Sequence, residues 1–300
     1  MKTEDIKRIL IVGGGTMGSQ IALQFAVHGC EIVVYDIREE ALAKSLASIR
    51  KMAASLMRQQ LLSRDDAEAA VGRITTTIDP EAAADIDLVS ESAPEDPVLK
   101  GEIFSLFHRL CPERTIFTTN TSTLLPSMFA AASGRPERLL ALHFHDLRIS
   151  NVVDIMPHRA TDEQVVELVQ AFAKRMGLAP IMMKKESSGY IFNAMFGALL
   201  LSAQTLAANQ IASIEDIDRA WMGVMKMPIG PFGMMDNVGL DTVWKITDYW
   251  GKRSGNEQQL QNAAFLRQYV DRGDLGQKSG KGFYAYPQPS FLEPGFNEGK

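Results

Sequence analysis

The segment 9–18 combines a short apolar run with a glycine-rich turn, and it constrains the fold of this chain more than any other segment. The run Ile-Leu-Ile-Val is followed by glycines at positions 13, 15 and 18. This spacing is typical of a strand that ends in a tight turn at Gly13 and continues into a helix. Gly18 lets that helix pack closely on the strand, and Gly15 has no Cβ, so an anionic group can approach the backbone at the positively polarised helix start.

The surroundings of this turn predict a dinucleotide site. An apolar helix follows it, and a second strand over Glu31–Tyr35 ends in Asp36, about twenty residues further on, where an acid can bind a ribose 2′-hydroxyl. We therefore predict NAD as the cofactor, bound by Gly13, Gly15, Thr16, Met17, Gly18 and Asp36. Asp36 favours NAD over NADP. Arg38 weakens that preference because an arginine there can accompany a 2′-phosphate, although a solvated loop arginine is the simpler interpretation.

Composition excludes several other classes of protein. A net charge of −5, with no block of lysine and arginine, argues against a nucleic-acid partner. The N-terminal apolar stretch is too short to span a membrane and no signal-peptide pattern precedes it, so we predict a cytoplasmic protein. The two cysteines, Cys30 and Cys111, give no disulfide framework and are expected to pack as small, reduced apolar groups.

Strand and helix patterns alternate in the first part of the chain. Strands are predicted over 9–12, 31–35, 74–78, 87–90, 115–118, 139–144, 152–156 and 180–183, and helices follow most of them, over 39–60, 64–71, 97–110 and 162–176. This alternation predicts an α/β fold with a doubly wound, mostly parallel sheet of the Rossmann type.

After Glu186 the pattern becomes helical only. The apolar run Ile191–Ala208 carries no charge, so we expect it to be a helix that is buried over most of its surface. Helices are also predicted over 241–250 and 258–270. The sequence therefore predicts two domains, an NAD-binding domain over 1–186 and an all-helical domain over 187–300. Methionines cluster between 222 and 235, either as core filling or as a plastic wall against an acyl chain or a partner helix.

Polar side chains at special positions are candidates for chemistry. Ser122 follows the end of a predicted strand, His143 ends an apolar strand, Asp154 lies inside another, and Asn193 lies in the apolar helix. A buried carboxylate needs a partner, and an imidazole would serve, because Asp154 would fix the tautomer of His143 and favour its cation. His143 would then be a competent base. Taken alone, each residue also has a simpler explanation, His143 as a hydrogen-bonded core histidine and Asp154 as an acid at a sheet edge.

Segments in a fixed order resemble the L-3-hydroxyacyl-CoA dehydrogenase family over nearly the full chain. They are 12–18, 90–95 with Lys100, 120–123, 143–144, 189–193, 227–233, 236–241 and 278–284. The resemblance implies a Rossmann domain, a helical dimerisation domain and a substrate in the cleft between them. It also implies a homodimer that oxidises a short-chain L-3-hydroxyacyl-CoA, such as 3-hydroxybutyryl-CoA, with NAD in fatty acid metabolism.

The resemblance also implies roles for individual residues. His143 would be the base, oriented by Asp154, and both Ser122 and Asn193 would hold the 3-oxygen of the substrate. Glu95, Lys100 and Asn120 would contact NAD.

Three departures from the family pattern leave alternatives open. The family continues from its histidine with Phe-Phe-Asn-Pro, whereas residues 144–148 read Phe-His-Asp-Leu-Arg. The acid of the family's dyad is glutamate, whereas Asp154 is shorter and follows a connection one residue shorter. A serine and a lysine that hold CoA correspond to Met52 and Gln59. The chain could therefore be an NAD-dependent dehydrogenase of a free 3-hydroxy acid, such as a sugar acid, or an inactive dinucleotide-binding protein.

His145 is a further candidate, and it can be interpreted in two ways. We expect its side chain to point to the strand face opposite His143, if the strand continues that far, and so to matter less for turnover. On the other interpretation, His143, His145 and Asp146 are metal ligands on one face of the strand. Because hydride transfer to NAD needs no metal, we expect none.

Overall fold

The computed structural model describes residues 1–299. Contacts divide the chain into two compact units, Met1–Ile191 and a second unit that begins at Phe192. Within the described residues, no helix is at once long and apolar enough to cross a lipid bilayer.

The first unit contains eight strands and five α-helices. The strands are β1 (Arg8–Val12), β2 (Glu31–Tyr35), β3 (Ile74–Thr77), β4 (Leu88–Glu91), β5 (Ile116–Thr119), β6 (Leu139–Phe144), β7 (Val152–Pro157) and β8 (Ala179–Met182). The helices are α1 (Thr16–Val27), α2 (Glu39–Arg58), α3 (Arg64–Gly72), α4 (Pro97–Leu110) and α5 (Glu163–Arg175). Each predicted strand and helix of this region is present, with ends that differ by no more than a few residues.

The strands form one sheet in the order β3-β2-β1-β4-β5-β6-β7-β8. All neighbouring strands are parallel except β6 and β7, which pair antiparallel. Successive residues of β1 enter different cores: Ile9 and Ile11 belong to one apolar cluster, and Leu10 and Val12 belong to the other. A strand that is buried on both faces in this way is typical of a sheet covered by helices on both sides, so the predicted doubly wound Rossmann-type fold is confirmed.

The second unit is helical, as predicted. Its helices are α6 (Phe192–Ala208), α7 (Ile214–Met225), α8 (Pro231–Val238), α9 (Leu240–Ser254) and α10 (Glu257–Asp271). The expectation that α6 is buried over most of its surface is wrong within the single chain, because only Leu200, Ala203 and Gln204 are buried. The helix packs against α7, α8 and α10 and leaves other apolar residues exposed, among them Phe192 and Met195.

Candidate active site

The turn between β1 and α1 has the shape that a dinucleotide pyrophosphate requires. Gly13 has φ +104°, and a Cβ on Gly18 would lie 1.9 Å from the carbonyl oxygen of Gly13, so both positions need glycine. A Cβ on Gly15 would meet nothing within 4 Å, which leaves the space in front of the α1 N-terminus open to a ligand. The residues present therefore fit the phosphates of NAD at this helix start.

Asp36 lies beside this turn, at the end of β2. Its Oδ2 accepts a hydrogen bond from the Gly14 backbone amide at 2.9 Å, and its Oδ1 accepts one from the Arg38 amide at 3.1 Å. The Arg38 guanidinium is mostly exposed and lies 4.0 Å from the carboxylate. The carboxylate is thus fixed by the backbone at the position where we predict the ribose hydroxyls to bind.

The side chains of His143 and Asp154 contact each other on one face of the sheet. They are register partners across the antiparallel pair β6–β7, and Nδ1 of His143 lies 3.0 Å from Oδ2 of Asp154. Both side chains are almost fully buried. Because the carboxyl ends of β1, β4, β5 and β6 share one edge of the sheet, this pair lies at the same edge as the glycine turn.

His145 also contacts Asp154, and the expectation that it points away from His143 is wrong. Its Nε2 lies 3.4 Å from the same Oδ2, and the two imidazole rings have centroids 4.8 Å apart. The physical reason is the period of two along extended backbone, which places residues 143 and 145 on one face. The period of two is visible in the sequence, and applied correctly it places both side chains on the same face.

The two histidines determine the charge of Asp154. Burial by itself opposes ionisation of this carboxyl, but the hydrogen bonds and positive charge that His143 and His145 can supply outweigh it and lower its pKa to about 2. An ionised carboxylate can only accept, so Nδ1 of His143 must donate to it. In the neutral ring Nε2 then carries a free lone pair, which is the arrangement that a base requires. The second oxygen, Oδ1, is buried without a hydrogen-bond partner among the described residues.

Tyr190 covers the other side of the His143 ring. The two rings stack with centroids 4.4 Å apart, and Tyr190 is 2% exposed although it adopts φ +52°. A left-handed tyrosine is uncommon and is retained only where the surroundings hold it. Apart from the glycine that precedes Tyr190, nothing in the sequence indicates this contact.

A network of acids and hydroxyls follows β4 and β5 at the same edge. Glu95 accepts hydrogen bonds from the Thr121 hydroxyl at 2.7 Å and from the Ser122 amide and hydroxyl at 2.7 and 3.2 Å. These donors outweigh the cost of burial and hold the pKa of Glu95 below its usual value. The hydroxyl of Ser122 thus donates a hydrogen bond to the Glu95 carboxylate in this structure.

Lys100 is a buried cation. Its Nζ lies 2.6 Å from Glu91, 3.1 Å from the carbonyl of Ala93 and 3.6 Å from Glu95. Glu91, which was not predicted as a site residue, also accepts from Thr119 at 2.6 Å. The lysine is 1% exposed, and its contacts fix the segment that carries Glu95.

Asn120 links two strand ends. Its side-chain oxygen accepts a hydrogen bond from the backbone amide of Phe144 at 2.8 Å, next to His143. Asn193 belongs to the second unit, where it is the second residue of α6, and its role stays a prediction. Both cysteines, Cys30 and Cys111, are free and buried, as predicted.

Comparisons with known proteins assign this arrangement to a family. A model of the 3-hydroxyacyl-CoA dehydrogenase NAD-binding domain matches residues 8–187, and a model of the C-terminal domain of the same family matches residues 189–286. This chain belongs to the 3-hydroxyacyl-CoA dehydrogenase family. It is accordingly an NAD-dependent oxidoreductase, as predicted.

Relatives in this family align with nearly the whole chain. The chain is 33% identical to the human mitochondrial hydroxyacyl-coenzyme A dehydrogenase, over 94% of this chain and 91% of the relative. It is 30% identical to a probable 3-hydroxybutyryl-CoA dehydrogenase of Bacillus subtilis, over 95% of this chain and 99% of the relative. A solved diketoreductase is 36% identical with a TM-score of 0.87, over 94% of this chain and 99% of that one.

Two departures from the family pattern lie on or next to α2. Met52 is partly buried and packs against the core of the sheet unit. Gln59 follows the last residue of the helix, and its amide donates to the Ser55 hydroxyl at 3.1 Å. Neither side chain supplies the charge that a lysine would offer to a CoA phosphate.

Proposed function

We propose that this chain oxidises a short-chain L-3-hydroxyacyl-CoA, such as 3-hydroxybutyryl-CoA, to the 3-ketoacyl-CoA, with His143 as the general base. The observation that carries the proposal is the buried pair of His143 and an ionised Asp154 at the sheet edge that also holds the glycine turn. Membership of the family supports the reaction class.

The proposed mechanism moves one proton through His143. Bound NAD would be held by the turn at Gly13–Gly18 and by Asp36, and it would accept the hydride. Nε2 of His143 takes the proton of the 3-hydroxyl while the hydrogen on C3 leaves as hydride. Asp154 stabilises the resulting imidazolium through Nδ1, and Tyr190 restricts the ring orientation. In the reverse direction the imidazolium returns the proton to the oxygen.

The residues that follow β4 and β5 are proposed to bind the substrate and the cofactor. The Ser122 hydroxyl can exchange its bond to Glu95 for one to the 3-oxygen, since its hydroxyl hydrogen rotates. Glu95, positioned by Lys100 and Thr121, is proposed to face NAD.

A second candidate is the oxidation of a free 3-hydroxy acid, such as a sugar acid. Two observations favour it. Met52 and Gln59 offer no charge at the positions expected to hold CoA, and the similar diketoreductase is described as a catalyst of dicarbonyl compounds.

One assay separates the two candidates. Oxidation of NADH is measured with acetoacetyl-CoA and, at matched concentrations, with free acetoacetate and a panel of free 3-keto acids. The proposal predicts a kcat/KM for the thioester at least about 100-fold higher, because binding energy from the remote CoA moiety lowers the barrier. A free acid that matches or exceeds the thioester would replace the first candidate with the second.

We also propose a homodimer formed through the second unit. Its exposed apolar side chains include Phe192, Met195, Val224, Met225, Met227, Ile246, Tyr249 and Trp250. Apolar surface of this extent on about 110 residues is typical of an interface.

A further inference from the structure

We propose that His143, His145 and Asp154 form a binding site for a divalent transition-metal ion such as Zn²⁺, and that the bound ion inhibits the dehydrogenase. The inhibition rests on the function proposed above, whereas the binding itself rests only on the geometry of the three side chains.

The distances between the three side chains fit such an ion. Zinc binds histidine nitrogen and carboxylate oxygen at about 2.0–2.2 Å, which places neighbouring ligand atoms of a tetrahedral centre roughly 3.3 Å apart. Here the carboxylate oxygen lies 3.0 Å from Nδ1 of His143 and 3.4 Å from Nε2 of His145. All three ligand atoms lie within 4.8 Å of one another, so the two imidazole nitrogens would approach each other by up to about 1.5 Å to reach this spacing.

The chemistry of the three groups also fits. Two imidazoles and one carboxylate suit Zn²⁺, Co²⁺ or Ni²⁺ and discriminate against Mg²⁺, which prefers oxygen ligands. The second oxygen of the Asp154 carboxylate is buried without a hydrogen-bond partner in the described part of the chain, so it is available to a bound ion. The sheet register and the period of two hold the ligands on one face before any ion arrives.

Metal binding and base catalysis exclude each other at His143. A ring that coordinates through Nδ1 must carry its proton on Nε2, so the neutral imidazole moves one proton from Nδ1 to Nε2 and no proton is lost. Nε2 then has no lone pair with which to accept the 3-hydroxyl proton. Because a neutral coordinated imidazole is also a weak acid, turnover should slow in both directions.

Histidine 145 provides the variant that separates metal binding from the dyad. His145→Gln keeps a hydrogen-bond donor beside Asp154 but removes the nitrogen ligand. His28→Ala is the matched control, because it removes an exposed histidine that is distant in sequence from His143, His145 and Asp154. Co²⁺ is titrated into each protein and followed by its visible absorption bands. The Zn²⁺ concentration that halves the activity is measured relative to the metal-free activity of the same variant.

The proposal predicts Co²⁺ bands in the wild type and in His28→Ala, and their loss in His145→Gln. It predicts that His145→Gln raises the half-inhibitory Zn²⁺ concentration by at least about 10-fold and that Mg²⁺ has no effect. Absence of Co²⁺ bands in the wild type, or equal Zn²⁺ sensitivity of His145→Gln and the wild type, would overturn it. If acetoacetyl-CoA is not turned over at all, the Co²⁺ titration still decides the site, so the two proposals fail separately.

Discussion

The sheet compensates for the short side chain of Asp154. Aspartate is one methylene shorter than the glutamate of the family pattern, but Asp154 lies directly opposite His143 in the antiparallel pair. Side chains of such partners start about 4.5–5.5 Å apart on one face, so the shorter acid still reaches the ring at 3.0 Å. The shorter connection after His143 therefore preserves the contact between acid and imidazole.

Asp36 should determine the choice of cofactor. Its carboxylate is fixed by the Gly14 and Arg38 amides and would repel a 2′-phosphate. We expect Asp36→Ala to reduce the ratio of kcat/KM for NAD to that for NADP by about 10-fold or more, the equivalent of about 1.4 kcal/mol. Steady-state kinetics with both cofactors measure this ratio, and Arg38→Ala is the control that should retain it. Equal kcat/KM values in the wild type would contradict the assignment.

Replacement of Gly15 by alanine should impair NADH binding, whereas replacement of Gly18 should impair stability. A methyl group on Gly15 meets no protein atom, so Gly15→Ala should change the free energy of unfolding by less than about 1 kcal/mol but weaken NADH binding at least 10-fold. Gly18→Ala drives a methyl group into the carbonyl of Gly13 and should cost about 2–3 kcal/mol or more of stability. Urea unfolding by circular dichroism and NADH titration check both. Tight NADH binding by a folded Gly15→Ala protein would refute the proposed pyrophosphate site.

Asp218 should make the second unit less stable as the pH rises. It accepts hydrogen bonds from the Phe232 and Gly233 amides at the start of α8 and from Tyr284, but burial dominates and raises its pKa from 3.8 to about 6. Since the folded pKa lies above the unfolded one, the stabilisation is complete below about pH 4 and is lost as the pH rises through 6. The free energy of unfolding of the wild type, measured relative to that of Asp218→Asn, should therefore fall by about 1–3 kcal/mol between these two pH values.

Tryptophan fluorescence during urea unfolding measures this loss. All three tryptophans, at 221, 244 and 250, lie in the second unit, so the signal reports that unit alone. A difference between wild type and Asp218→Asn that is the same at both pH values would show that the carboxyl does not titrate in this range.

Individual elements could be predicted from sequence much better than the contacts between them. Short runs of apolar or β-branched residues predict each strand of the first unit, and the predicted bounds of β6, Leu139–Phe144, agree with the structure. The contact of His145 with Asp154 follows from the period of two, which the sequence does show, and from the register of β6 against β7, which depends on the packing of both strands. The buried pair of Lys100 and Glu91 was missed, since a charged residue near a strand end reads as solvated until its partner is known.

The whole molecule should be a dimer in solution. The apolar face that α6 leaves exposed would be unusual on a monomer, and pairing of two second units would cover it. Light scattering at micromolar concentration should give twice the chain mass of 33.1 kDa. Replacing exposed Met195 and Val224 by lysine should shift the mass toward one chain, whereas lysine at exposed Ile149 of the first unit should not. A mass of one chain for the wild type would refute the dimer.

If His143 is the general base, the removal of His143 and the removal of His145 should have very different effects on turnover. The kcat for acetoacetyl-CoA reduction and the Kd for NADH are measured for the wild type, His143→Ala and His145→Ala. We expect His143→Ala to lower kcat by roughly 10²–10⁴-fold with NADH binding nearly unchanged, and His145→Ala to lower kcat far less, since it leaves the His143–Asp154 bond in place. An inactive His145→Ala variant together with an active His143→Ala variant would show that the base is His145.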